Sequence, residues 1–129
     1  MNPNDSAHAG DAIRGRAPHV LEVYERTRDT VLESGIVEPE LKELCARYLG
    51  GDEDVIAHSS DAERYDERQR AALAWTDAIG WDSERADDAL WHGLHSCFTE
   101  PELVELGYSI AITLGQQHWL GTLGVTEHP

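Results

Sequence analysis

A chain of 129 residues, 40% hydrophobic and 27% charged, is long enough to bury one core and has the composition of an ordinary globular domain. Its 25 acidic against 10 basic residues give a net charge of −15. Such a surface repels phosphate backbones and anionic lipid, so neither nucleic acid nor a membrane is expected as a partner. The apolar runs fall far short of the roughly 20 residues a membrane span needs. The opening MNPNDSAHAGDAIRGRA has no apolar signal segment, so the expected compartment is the cytoplasm.

Residues 1–16 are polar and lack periodicity, which predicts a flexible tail ahead of a single domain over 17–129. From Pro18, the stripe Val20, Leu21, Val23, Tyr24, Thr27, Val31 and Leu32 predicts a first helix to about residue 33, stopped by Ser34–Gly35. Pro39 opens a second helix with Leu41, Leu44, Cys45, Tyr48 and Leu49 on one face, and Gly50–Gly51 ends it. Asp52–Ser60 then reads as a short helix. Asp66 caps the next, which runs through Ile79 and closes at Gly80. Ser83 is the expected cap of a fifth helix that turns Ala86, Leu90, Leu94 and Cys97 inward.

Thr99-Glu100-Pro101-Glu102 is a capping box with proline in the first turn, and it opens the longest and most apolar helix, to about Leu123. One stripe of that helix holds Leu103, Leu106, Ile110, Leu114 and then Gln117 or His118; another holds Val104, Tyr108, Ala111, Ile112 and Trp119. Two apolar sides predict burial on both, centrally or at a subunit interface. No strand pattern occurs, so the expected fold is all-α, a single-domain bundle of about six helices. Gly93, Gly107, Gly115 and Gly121 inside helices each cost about 1 kcal/mol relative to alanine, which points to close helix packing or to room beside them.

Glu38–Ser60 concentrates the chemistry. Glu43, Cys45, Tyr48 and His58 lie within one short stretch, and a helix hairpin would let Glu43 orient His58 for proton transfer. The competing reading is a solvent-facing Glu43 and a loop or capping His58. Cys45 and Cys97 form no metal or redox spacing and read as small core residues. His92 and His95 share a face near Cys97, but too few ligand types converge there, and no metal is expected. Gln116, Gln117 and His118 interrupt an apolar helix, so they either cross-link helices or point into a pocket.

Two segments, PELKELCARYLGGDEDVIAHSS and Asp66–Val125 with its FTEPELVELGYSIAITLGQQHWLGTLGV helix, resemble the carboxymuconolactone decarboxylase / alkylhydroperoxidase D-like superfamily. In that family a similar [ST]xxE[LI]VEL start leads into a long apolar helix. A Gly-Cys-x-x-Cys-x-x-x-His motif follows the family's active-site helix. With Gly51 on the family glycine, the cysteine positions fall on Asp52 and Val55 and the histidine on Ser59, one past His58. Without a low-pKa thiolate and a resolving cysteine, the family's peroxidase chemistry is not expected.

The resemblance implies a homo-oligomer, trimer or hexamer, with a small-molecule pocket near subunit contacts and no cofactor. It implies a cofactor-independent acid/base enzyme with His58, Glu43 and His118 as its catalytic groups. The substrate expected from the composition is a small neutral or apolar carbonyl or lactone, held by Tyr48, Trp75, Trp91, Tyr108 and Trp119. Two alternatives stand beside it: a non-catalytic oligomeric binding protein that lost the motif, and a residual thiol peroxidase.

Overall fold

The two longest helices begin at reciprocal caps. Asp66 accepts from the Gln69 amide while the Gln69 side chain accepts from Asp66 N–H, and Thr99 and Glu102 repeat the exchange. In the computed structural model, residues 8–127 are described. Among them are seven α-helices: α1 Asp11–Arg14, α2 Pro18–Thr27, α3 Pro39–Leu49, α4 Glu53–His58, α5 Glu67–Trp81, α6 Asp88–Cys97 and α7 Glu100–Thr122. There is no strand among the described residues, and no helix is long and apolar enough to cross a membrane.

Helices α3, α5 and α7 pack on one another; α6 covers α5, and α4 leans on α3. Leu41, Leu44, Cys45, Tyr48 and Leu49 of α3 meet Ala72 and Leu73 of α5, Leu94 of α6, and Leu103, Leu106 and Ile110 of α7. The periodic stripes read from α3 and from the first face of α7 are therefore core positions. Gly107 lets α7 approach α5 closely: a Cβ there would stand 2.7 Å from Trp75 Cη2.

One polar hub locks the helix ends. Arg68 donates to Glu38 at 2.7 Å, to Glu102 at 2.7 Å and to the Cys97 carbonyl at 2.6 Å, with its guanidinium 4.2 Å from the Phe98 ring centroid. It joins the start of α3, the end of α6 and the start of α7 to α5.

Five sequence expectations change. Residues 8–16 are not a loose tail: they carry α1, whose Arg14 is buried. Residues 1–7 of that expected tail lie outside the described residues. The first helix is α only to Thr27 and continues as a π turn, Arg28–Leu32, which carries Arg28 inward. Ser83 does not cap α6. It lies in a 3₁₀ turn, Ser83–Arg85, and the cap is Asp87, which accepts from the Leu90 amide. Helix α5 runs through Gly80 to Trp81. The second stripe of α7 is open rather than covered within this chain, with Val104 71%, Tyr108 48% and Trp119 39% exposed.

Candidate ligand-binding cleft

Three helical faces enclose a cleft of about 240 Å³. Helix α3 contributes Pro39, Lys42, Glu43 and Ala46 at i, i+3, i+4 and i+7. Helix α7 contributes Ser109, Thr113, Gln116 and Gln117 at i, i+4, i+7 and i+8. Tyr24, Arg28, Leu32 and Glu33 close the third side, and His8 and Glu127 stand at its margin. The π turn forms part of this third wall; single π turns concentrate at functional sites.

The cations of the cleft are already committed. Lys42 is buried, and its ammonium donates to the carbonyls of Val31 and Ser34 and lies 3.3 Å from Glu105 Oε2. Glu105 also accepts from Val37 N–H at 2.6 Å and Ile36 N–H at 3.1 Å, so the pair staples the loop before α3 onto α7. Arg28 Nη2 is 2.6 Å from Asp11 Oδ1. Behind them, Arg14 donates to Asp11, Glu127 and Gln116 while its guanidinium stacks 3.7 Å from the Tyr24 ring centroid. Burial pushes the Tyr24 phenol up.

The anions differ. Glu127 holds Arg14 and the Gly10 amide, and Glu33 faces His8 at 3.5 Å. Glu43 is exposed at the edge of the cleft and has no hydrogen-bond or ion-pair partner among the described residues. Gln117 forms the wall shared with a neighbouring cleft of about 470 Å³. Its Nε2 donates to the Ala46 carbonyl at 3.0 Å, which fixes the amide and leaves its Oε1 buried without a protein donor. That second cleft is lined by the Gly50–Gly51 turn, by Arg47 paired with Asp52 at 2.9 Å, and by His118.

The expected site residues are dispersed. Glu43 lines the first cleft and His118 the second, while His58 lines neither. His58 ends α4 with Nδ1 2.8 Å from the Asp54 carbonyl and 3.3 Å from Asp54 Oδ1, a local helical contact that holds the ring on its own turn. The expected Glu43–His58 pairing is absent from the contacts of either residue. None of the five expected aromatic residues lines either cleft. Tyr48 is buried in the core, donates to Asp77 Oδ1 at 2.8 Å and meets the Trp81 ring edge-on. Burial, and then Asp77, push its phenol up to about 12. Trp75 packs against Trp91 with centroids 5.6 Å apart, and Tyr108 and Trp119 point from the open face of α7. The aromatic that does line the first cleft is Tyr24.

Thiol and metal chemistry find little footing here. Burial pushes the Cys45 thiol up to about 11, and burial with the nearby Glu67 charge raises Cys97, so both thiols are protonated at neutral pH. Among the described residues no group of three His, Cys, Asp or Glu side chains converges as a metal site would require. His95 instead contacts the Trp91 carbonyl and Glu100.

No protein-family model matches the chain, and no curated protein or solved structure is detectably similar to it. Sequence reasoning missed Tyr24, Arg28 and Arg14. The sequence carried no signal for them: Glu22, Glu25 and Asp29 lie nearer to Tyr24 and Arg28 than Asp11 does, and local spacing does not show that Arg28 pairs with Asp11.

Proposed function

We propose that this chain binds a small, largely apolar molecule in the cleft between α2, α3 and α7, and that it does so without a cofactor. The observation that carries this reading is the cleft itself: three helical faces converge on it, and most of its wall area is apolar although many of its lining residues are polar or charged. Every cation there is already held by protein acceptors, so the cleft needs no counter-ion to be stable.

The kinship to the carboxymuconolactone decarboxylase / alkylhydroperoxidase D-like superfamily is part of this proposal. Its support is that the two resembling segments fall on α3–α4 and on α5–α7, the helices that form the core and two walls of the cleft. A homo-oligomer, trimer or hexamer, belongs to the same reading. Between Leu106 and Thr126 the chain carries no Asp, Glu, Lys or Arg, and the exposed Tyr108, Ala111, Gly115 and Trp119 fall on this stretch. On a molecule of net charge −15, an uncharged face is where two copies can approach without repulsion.

The test is binding of small neutral carbonyl compounds and lactones to the full chain, read by calorimetry, beside Thr113→Trp, which fills the cleft. Binding that the tryptophan abolishes supports the proposal. Binding that survives the filled cleft, or no binding by any member, overturns it. Light scattering of Tyr108→Glu reads the oligomer: the wild type is multimeric and the variant monomeric if α7 is the contact.

A second reading keeps catalysis. A carboxylate with no partner among the described residues, beside such a cleft, is placed to take a proton from an activated C–H compound, and Glu43 is such a group. In this version Glu43 works without His58. Turnover lost in Glu43→Gln and kept in His58→Ala identifies it; turnover kept in both removes it.

A further inference from the structure

We infer that the α2–α3–α7 cleft selects a cationic ligand, an ammonium group on an apolar body of about ten non-hydrogen atoms, and rejects carboxylates; this rests on the binding reading above. The size follows from volume. A cavity of about 150 Å³ holds benzene, so a cleft of about 240 Å³ admits roughly ten heavy atoms.

The charge follows from which groups lining the cleft remain unpaired. Besides the Tyr24 phenol, six lining residues are charged or titratable: His8, Arg28, Glu33, Lys42, Glu43 and Glu127. Arg28 is held by Asp11, Lys42 by two carbonyls and Glu105, Glu127 by Arg14 and Gly10, and Glu33 and His8 face each other. Glu43 alone has no partner among the described residues. A ligand carboxylate would find no free cation and three glutamates around it, and seating it would require breaking Arg28 from Asp11 or Lys42 from its carbonyls. An ammonium needs no such rearrangement. Its apolar body lies against Leu32, Pro39 and Ala46, and its N–H groups reach Glu43 at the rim, with the Ser109 and Thr113 hydroxyls as further acceptors.

This is selection by what the protein has already paired. The arginine nearest the open cleft, Arg28, is neutralised by α1, a helix made of residues the sequence reading assigned to a loose tail. Exchanging Asp11 for asparagine frees Arg28 and thereby reverses the preference.

The experiment compares 3-phenylpropylamine, 3-phenylpropan-1-ol and 3-phenylpropanoate by calorimetry on the full chain. About 0.15 M salt screens the diffuse attraction of an acidic surface for any cation. The expected order is amine, then alcohol about fivefold weaker, then carboxylate without detectable binding; fivefold corresponds to about 1 kcal/mol. Glu43→Gln removes the preference, so that amine and alcohol bind alike, and Asp11→Asn admits the carboxylate. If the alcohol binds and the amine binds no tighter, or if the preference survives Glu43→Gln, the charge selection is overturned and the binding reading stands. If no member of the series binds, both fall.

Discussion

Arg14 Nη2 and Glu127 Oε1 stand 2.9 Å apart, an ion pair between residues 113 positions apart that ties α1 to the segment following α7. The Arg14 side chain is fully buried, and its other donors are taken by Asp11 and Gln116. Ala9, Leu120 and Val125 pack beside it in a small second core. The pair thus holds the part of the chain that neutralises Arg28 in the cleft.

Removing Arg14 leaves Glu127 with only the Gly10 amide, while Asp11 keeps Arg28. Breaking a buried pair from one side costs about 3–5 kcal/mol. With Asp11 still compensated, the lower end is expected for Arg14→Met, about 3 kcal/mol, read by chemical denaturation. Arg14→Lys does not rescue it, because a lysine lacks the planar fork that reaches Glu127 and Gln116 together and stacks on Tyr24. A loss below about 1 kcal/mol would show that the clamp is not holding the chain ends.

Stability is expected to peak at mildly acid pH. Hydrogen bonds from Arg68 hold Glu38 and Glu102 below the usual carboxylate range. At Asp11 and Glu105 burial pushes upward, but donors from Arg28 and Arg14, and from Val37, Ile36 and Lys42, outweigh it. A carboxyl whose pKa is lower folded than unfolded stabilises above its unfolded value, and the gain is lost as pH falls below about 4.5 toward the folded value. His95 is raised by the Trp91 carbonyl and then Glu100, so its contribution is present below about 6.5 and fades as pH rises through the folded value. Thermal unfolding followed from pH 3 to 9 is expected to show the highest midpoint between about 4.5 and 6.5. A midpoint that keeps rising below pH 4 contradicts the carboxylate pairing.

Tyr48 is a core residue rather than a ligand contact. Tyr48→Phe retains the ring against Trp81 and removes the donor to Asp77, which Arg85 still pairs. The expected loss is about 1 kcal/mol of stability, with ligand affinity unchanged. Ultraviolet titration provides a second check: one phenol stays protonated beyond pH 11 in the wild type, and that late step disappears in the variant. Affinity that drops with the substitution would return Tyr48 to the site.

The thiols are expected to be inert in the folded chain. With Cys45 buried and raised to about 11, hydrogen peroxide or a disulfide reagent at pH 7 leaves it reduced until the protein is denatured, while the partly exposed Cys97 reacts slowly. Mass spectrometry of timed samples reads both. Rapid oxidation of Cys45 under native conditions would restore the thiol peroxidase alternative.

Much of the helical framework was legible because its signals are local. The capping boxes at Asp66 and Thr99, the first-turn prolines at 18, 39 and 101, and the stripes of α3 and α7 are short-range patterns. Errors arose where two local signals competed, as at Ser83 against Asp87, both acceptable caps. Gln116 and Gln117 were readable as polar groups needing partners, and each cross-links a helix while lining the cleft. Glu43 was legible as a candidate, but its supposed partner was not. The Asp54 carbonyl one turn back keeps His58 on α4, and proximity in sequence does not report that.

By itself, then, the sequence determined the helices after α1, apart from some of their ends, together with the buried faces of α3 and α7 and the acidic surface, since each follows from periodicity, caps or composition within one segment. Tertiary structure alone decided that residues 8–16 join the fold, that Tyr24 rather than the tryptophans lines the cleft, and that Glu43 is left without a partner among the described residues. Those outcomes depend on side chains such as Arg14 and Glu127, or Arg28 and Asp11, meeting across long stretches of chain. Nothing within a helical turn of either member reports such a meeting, because its energy arises only when both are taken out of water together.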